Sequence, residues 1–288
     1  MENRLDDTPP DLIRNQTLRS VLAHINLVHP IPIVFVLLAT ISLSFAVDSG
    51  ASVATRVFLV LSMLGGQLAV GATNEIVDLN LDAATNRLKP LVTGEVAVRS
   101  AWVILTSGMV LMVFASLPLG LLALGLCALG NGLGVAYSIW FKRTMYAWLP
   151  YALALPLLPI WISVSVDVSI DGLLLLFPIG ISAVFSVQIA QALPDVDSDR
   201  AAGIDSMTTR LGEEWSLAAC WSALLVSALL VEIGRELTSF AAFLPGIVCF
   251  AILGNAIAWF VYPSAGVRLA FSIASLSAIA LGFAWVAG

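Results

Sequence analysis

The chain has 288 residues, of which 59% are hydrophobic and only 11% charged, and its mean hydropathy is +0.98. A soluble domain carries about 25% charged residues, so water is excluded as the main solvent and lipid is indicated. The formal net charge of −6 argues against nucleic acid as a partner.

In chain order, residues 1–18 read as a polar, acidic surface tail, and they lack the basic and apolar regions of a signal peptide. Residues 19–30 predict a short interfacial helix ahead of Pro30 and Pro32. Nine apolar helices follow, near 31–48, 52–73, 101–117, 119–140, 148–165, 172–192, 215–234, 240–261 and 265–286, most near the length of about 20 residues that crosses a bilayer. The fold class is therefore all-α, a multi-pass membrane protein with one domain over 19–288. Two polar connections are long, 74–100 and 193–214. Cys127, Cys220 and Cys249 lie far apart in apolar segments without a CxxC or Cys/His pattern, and read as small buried apolar residues.

Lys and Arg set the orientation. With the N-terminus inside, the cytoplasmic face receives Arg4, Arg14, Arg19, Arg87, Lys89, Arg99, Lys142, Arg143, Arg200, Arg210 and Arg268, and the far face only Arg56 and Arg235. Both long connections then face the cytoplasm. One follows the second helix and the other the sixth, so a four-helix unit repeated in the same orientation, plus a ninth helix, would put them at equivalent places.

Each connection is acidic. In "NEIVDLNLDAATNRLKP", residues 74–90, a continued helix would put Asn74, Asp78 and Asp82 on one face. In "DVDSDR", residues 195–200, Asp195 and Asp199 share the same four-residue spacing. Carboxylates without His or Cys suit a hard cation, and Mg²⁺ takes one or two carboxylates together with substrate phosphates. The bases Arg87, Lys89, Lys142, Arg143 and Arg200 lie near both clusters. Acids, metal and bases together suit a diphosphate, and the apolar bundle behind them suits a hydrocarbon tail, which describes a prenyl diphosphate. Ionisation of that donor leaves an allylic cation that aromatic faces stabilise; Tyr137, Trp140, Phe141 and Phe185 are the candidates.

These residues resemble the UbiA superfamily of intramembrane prenyltransferases. The first family motif, N-D-x-x-D-x-x-x-D, is matched by "NEIVDLNLD" at 74–82 and its basic-Pro-Leu continuation by "NRLKPLVTGEV" at 86–96. The second, D-x-x-x-D with downstream Gly-Ile and Leu-Gly, is matched by "DVDSDRAAGIDSMTTRLG" at 195–212, and a tyrosine before a Lys-Arg turn by "YSIWFKR" at 137–143. The resemblance implies a nine-helix ring around a central cavity open sideways to lipid. It implies that Asn74, Asp78, Asp82, Asp195 and Asp199 hold Mg²⁺ and the diphosphate, with Asp78, Asp82, Asp195 and Asp199 the catalytic acids. Arg87, Lys89, Lys142, Arg143 and Arg200 would contact diphosphate oxygens. The implied reaction moves a prenyl chain from its diphosphate to a lipophilic acceptor of aromatic type, in the inner cell membrane, with no protein partner. An intramembrane terpene cyclase of the same superfamily is the alternative. A transporter or lipid-binding protein is a third reading, but it calls for titratable residues near the bilayer midplane and the sequence has none there.

Three positions depart from the family pattern. Glu75 replaces an aspartate, Lys89 an arginine, and Asn26 and His29 stand where the first helix usually opens with an arginine. His29 has the chemistry of a base, but an interfacial histidine reads as structural. Glu232 and Asp167 read as solvated helix ends. Gln67, Asn131, Gln188, Gln191 and Asn255 read as interhelical hydrogen-bonding groups, with Gln188 and Gln191, a turn before Asp195, also candidates to face the cavity together with Tyr137.

Overall fold

The computed structural model describes residues 20–84, 88–201, 203–234 and 239–287. Among these there is no strand; the chain is a succession of helices: α1 (Pro30–Val47), α2 (Val53–Ala84), α3 (Val98–Ser116), α4 (Leu121–Ala136), α5 (Leu149–Ser165), α6 (Leu176–Ala192), α7 (Val196–Ala201), α8 (Met207–Gly234), α9 (Leu244–Val261) and α10 (Pro263–Ala287). Residues 20–27 are also helical, as the interfacial segment requires, whereas the tail at 1–18 and Arg87 lie outside the described residues.

Eight described segments are long and apolar enough to span a bilayer. The ninth expected span, α5, is apolar but only 17 residues long and carries Pro156 and Pro159 inside it. At 1.5 Å per residue such a helix reaches roughly 25 Å, slightly short of a typical hydrocarbon core. Large apolar side chains cover the outside, among them Phe35, Phe114, Leu121 and Phe250. This is an integral membrane protein, because only closed helical hydrogen bonding lets such a chain sit in lipid.

Close packing comes from small residues. A Cβ on Gly65 would lie 2.5 Å from the Met112 backbone nitrogen, and one on Gly108 would lie 2.7 Å from the Gly65 carbonyl oxygen. The α2 and α3 backbones therefore touch, which suits association in lipid, where no hydrophobic drive exists between helices. Two apolar clusters sit in the body: Leu59, Met63, Cys127 and Trp161 between α2, α4 and α5, and Leu217, Leu224, Val248 and Ala274 between α8, α9 and α10. Helix α5 packs on both α4 and α6, joining the two, and α10 returns to touch α1. A third cluster, Ala23, Leu27, Ala72, Leu91, Val96 and Ala101, pins the 20–27 helix and the 91–96 turn to α2.

Two boundaries differ from the sequence reading. The expected loop at 74–84 is helix, the last eleven residues of the 32-residue α2. The expected loop at 193–214 contains α7 and the first turns of α8, which bends at Gly212 (φ 78°). Cys127 and Cys220 are buried as expected; Cys249, in α9, is exposed, contrary to that expectation.

Candidate active site

The continuation of α2 brings Asn74, Asp78 and Asp82 onto one face, and the structure buries the acids: Asp78 is 4% exposed, Asp82 1% and Glu75 2%. A buried carboxylate is costly unless paired, and each is paired with a cation that arrives from elsewhere in the chain. Lys142 bonds Asp78 and, at 2.8 Å, Asn74 Oδ1; Arg143 Nη2 reaches Asp78 Oδ1 at 2.9 Å. Lys89 Nζ sits between Glu75 Oε1 at 2.7 Å and Asp82 Oδ2 at 2.8 Å. Burial by itself would lower the Lys89 pKa, but the hydrogen bonds to Asp82 and Glu75 outweigh it and raise the ammonium above its ordinary value.

Lys142 and Arg143 reach α2 because α4 ends in a π-helical turn. Residues Tyr137–Phe141 form it, and Lys142 N donates to Tyr137 O at 2.8 Å. The wider turn inserts one residue into the helical register, and such turns are frequent at functional sites. Gly134 lies against the Val70 side chain of α2, so the two helices run close just before the turn.

A cleft of about 290 Å³ is lined by Asp78, Asp82, Tyr137, Lys142 and Arg143 on one side and by Gln188, Gln191, Asp195 and Asp199 on the other. The two acidic motifs thus face one another, as do Tyr137, Gln188 and Gln191. Asp195 ends a short 3-10 turn, Leu193–Asp195, and Asp199 lies in α7, so the second motif is folded rather than looped. The turn after it is fixed by Gly203 (φ 71°) and by Arg210, which bonds both Asp205 carboxylate oxygens at 2.6 Å and holds that acid below the usual aspartate range.

Three sequence-selected residues stand elsewhere. Arg200 does not line the cleft; its Nη2 donates to Thr209 O at 3.1 Å and its Nη1 lies 3.5 Å from Asp197. Lys89 reaches the acids from outside the cleft lining. Asn74 turns its face to a second, apolar cavity of about 340 Å³, which is lined by α1, α2, α4 and α5 down to Met63 and Trp161. Among the aromatic candidates, Trp140 is 68% exposed on the outer surface and Phe185 packs edge-on against Trp148 at 5.1 Å. Neither Trp140, Phe141 nor Phe185 lines either cavity.

The sequence reading missed Tyr151. Its ring meets Tyr137 at 4.6 Å between centroids, so the pair stands where the cleft and the apolar cavity adjoin. The interhelical reading of Gln67, Asn131 and Asn255 holds. Gln67 Nε2 donates to Asn131 Oδ1 at 3.1 Å, and Asn255 joins Trp221 to the Gly266 carbonyl.

The departures at Glu75, Lys89 and His29 turn out to be one contact. Glu75 Oε1 receives Lys89 Nζ and lies 2.9 Å from His29 Nε2. No sequence spacing links residues 29, 75 and 89; only the fold of the 20–27 helix and the 91–96 turn onto α2 brings them together.

The architecture has solved counterparts. A structure described as digeranylgeranylglyceryl phosphate synthase matches with a TM-score of 0.77 at 13% identity, covering 93% of this chain and 98% of that one. A UbiA homolog from Aeropyrum pernix K1 matches at 0.68 and 22% identity, covering 86% and 96%. A UbiA homolog from Archaeoglobus fulgidus, bound to GPP and Mg²⁺, matches at 0.68 and 18% identity, covering 91% and 99%. No curated protein sequence matches the chain. The UbiA prenyltransferase family model matches residues 33–277, which contain both acidic motifs and the Lys-Arg turn between them, and the chain belongs to that family.

Proposed function

We propose that the protein transfers a prenyl group from a prenyl diphosphate to a lipophilic, aromatic acceptor and releases diphosphate, using Mg²⁺ at the cytoplasmic mouth of the bundle. The observation that carries this reading is the cleft itself, in which Asp78, Asp82, Asp195 and Asp199 face one another beside Lys142 and Arg143, next to an apolar cavity.

The donor set fits a hard cation. It is made of oxygens, and the ammonium groups of Lys142 and Lys89 already rest on the carboxylates in the way a cation would. Among the described residues no three acid, His or Cys side chains converge closely enough to cage an ion. Mg²⁺ keeps waters and takes phosphate oxygens as ligands, so it needs only one or two carboxylates directly. Asn74, Asp78 and Asp82 on one wall and Asp195 and Asp199 on the other would hold it, and it would supply charge neutralisation for the departing diphosphate. Lys142 and Arg143 would bind diphosphate oxygens, with Arg87 and Lys89 as further bases, whereas Arg200 would have to leave Thr209 O to reach them. The prenyl tail would lie along the apolar cavity. The C1–O bond breaks and its electron pair leaves with the diphosphate. An electron pair of the acceptor forms the new bond to C1, and the acceptor loses a proton. The Tyr137–Tyr151 pair, at the junction of cleft and cavity, would face the transient cation.

Diphosphate release from geranyl diphosphate in Mg²⁺-containing nanodiscs tests the site. Asp78→Ala and Asp195→Ala are expected to lower it at least about 10²-fold; release at the wild-type rate in both would remove the metal–diphosphate assignment. Products from a screen of phenolic quinone precursors, porphyrins and glycerol phosphates distinguish the reactions. A cyclic hydrocarbon or alcohol as the main product would overturn transfer in favour of cyclisation.

A further inference from the structure

Glu75 is the acid of the first motif that the diphosphate assignments leave unused: it is buried, yet it lines neither cavity. Its Oε1 accepts Lys89 Nζ at 2.7 Å and holds His29 Nε2 at 2.9 Å. Lys89 is shared between Glu75 and Asp82, and Glu75 Oε1 accepts in addition from the imidazole Nε2–H. A carboxylate that takes the Nε2 proton leaves the lone pair on Nδ1, the arrangement by which an acid orients a general base.

The backbone is shaped to put this ring where it is. His29 has φ 55° and ψ 71°, a left-handed conformation uncommon outside glycine, and Pro30 follows it at the start of α1. A Cβ on Gly71 would lie 2.7 Å from the Val28 carbonyl oxygen, so glycine at that place lets the segment before His29 lie directly on α2. The result is a half-exposed imidazole lining the apolar cavity beside Asn74. No partner for Nδ1 is found among the described residues, and the charged groups around the ring are Glu75 from α2 and, through it, Lys89 from the 88–97 turn, which Asp82 of α2 also holds.

The geometry points to His29 as the proton acceptor of the transfer step, with Glu75 as the positioning residue that sets its tautomer. The inference rests on the transferase reading above. As the C1–O bond breaks and diphosphate departs with the electron pair, the acceptor's X–H group gives its pair to C1 and its proton to Nδ1, while Nε2–H stays on Glu75. The products are the prenylated acceptor, diphosphate and an imidazolium that returns its proton to solvent. The acceptor class is then one that carries an acidic O–H or a ring C–H made acidic by attack. It docks on the α1 side of the cavity rather than from the cleft.

With only two histidines in the chain, ¹⁵N-histidine NMR of the protein in nanodiscs reads the ring directly, His24→Gln providing the assignment. With Mg²⁺ and geranyl thiodiphosphate at neutral pH, the expected signal is neutral His29 protonated at Nε2 alone. An imidazolium, or a proton on Nδ1, overturns the proposal whatever the reaction. In turnover, acceptor prenylation by His29→Ala is expected to fall by about 10²–10⁴. Added imidazole should restore prenylation to His29→Ala but not to His29→Gln. Loss of prenylation without imidazole rescue reduces His29 to a structural clasp. If the wild type itself releases no diphosphate, it is the proposed function that fails, and the NMR measurement still judges the ring.

Discussion

At the scale of single residues, the site is a balance of buried charge. Glu75, Asp78 and Asp82 are matched by Lys89, Lys142 and Arg143. Removing one partner of a buried pair leaves the other uncompensated, which is the expensive case. Lys89→Met is therefore expected to lower stability in detergent by about 1–3 kcal/mol, less than a fully buried pair because Lys89 keeps 23% of its side chain exposed. The double variant Lys89→Met/Glu75→Gln should recover part of that loss in a thermal-unfolding series, since it leaves one less orphaned carboxylate. Lys142→Ala is expected to cut diphosphate release about 10²–10³-fold, and a wild-type rate would detach Lys142 from the reaction. The residue scale is also where the sequence was least readable. The acids announce themselves by type and spacing, but their partners are 14, 64 and 65 positions away along the chain. Nothing local marks His29 as a partner of Glu75.

At the scale of elements, helix type was legible from hydropathy, because lipid demands long apolar runs; of the nine expected spans, eight are long enough to cross and α5 is shorter. The end of α2 was not. Hydropathy falls at Asn74, yet the helix runs on to Ala84 because its acids are buried and paired rather than solvated. The same reasoning applies to the Tyr137–Phe141 π turn, which no periodicity signals. Deleting Ile139 would return that segment to α-helical register and rotate the following residues by about 100°. Lys142 and Arg143 would leave Asp78, so inorganic diphosphate binding, read by calorimetry with Mg²⁺ present, should disappear while the chain remains folded by circular dichroism. Retained binding would mean that the turn does not aim these bases. On the far side of α2, Gly65→Leu would drive a side chain into the α3 backbone. Overpacking of this kind costs about 1–3 kcal/mol, and the expected reading is a lower unfolding temperature with unchanged donor affinity in the protein that folds.

At the scale of the whole molecule, the distribution of bases predicts a cytoplasmic site. A single-cysteine series tests it. In spheroplasts, Ser198→Cys in α7 should resist an impermeant maleimide until the membrane is opened, while Ser169→Cys, in the turn between α5 and α6, should react at once. The reverse pattern would invert the topology and place the acids outside. The second acidic motif should keep its local fold over the working pH range. Arg210 holds Asp205 below the aspartate reference of 3.8, so that pair's contribution is present above this value and is lost only as pH falls through the depressed one. Proteolysis within 203–206 should therefore be flat from neutral pH down to about 5.

The adjoining of a charged cleft and an apolar cavity at Asn74 and the tyrosine pair also bears on reversibility under the proposed reaction. The two products would have opposite solubilities, diphosphate partitioning to water and the prenylated compound into the bilayer. The back reaction would need both to re-enter from separate phases at the same moment. Partition, rather than the intrinsic equilibrium of the bond exchange, would then set the direction of net flux, and the membrane would act as a sink for product as well as a solvent for the protein.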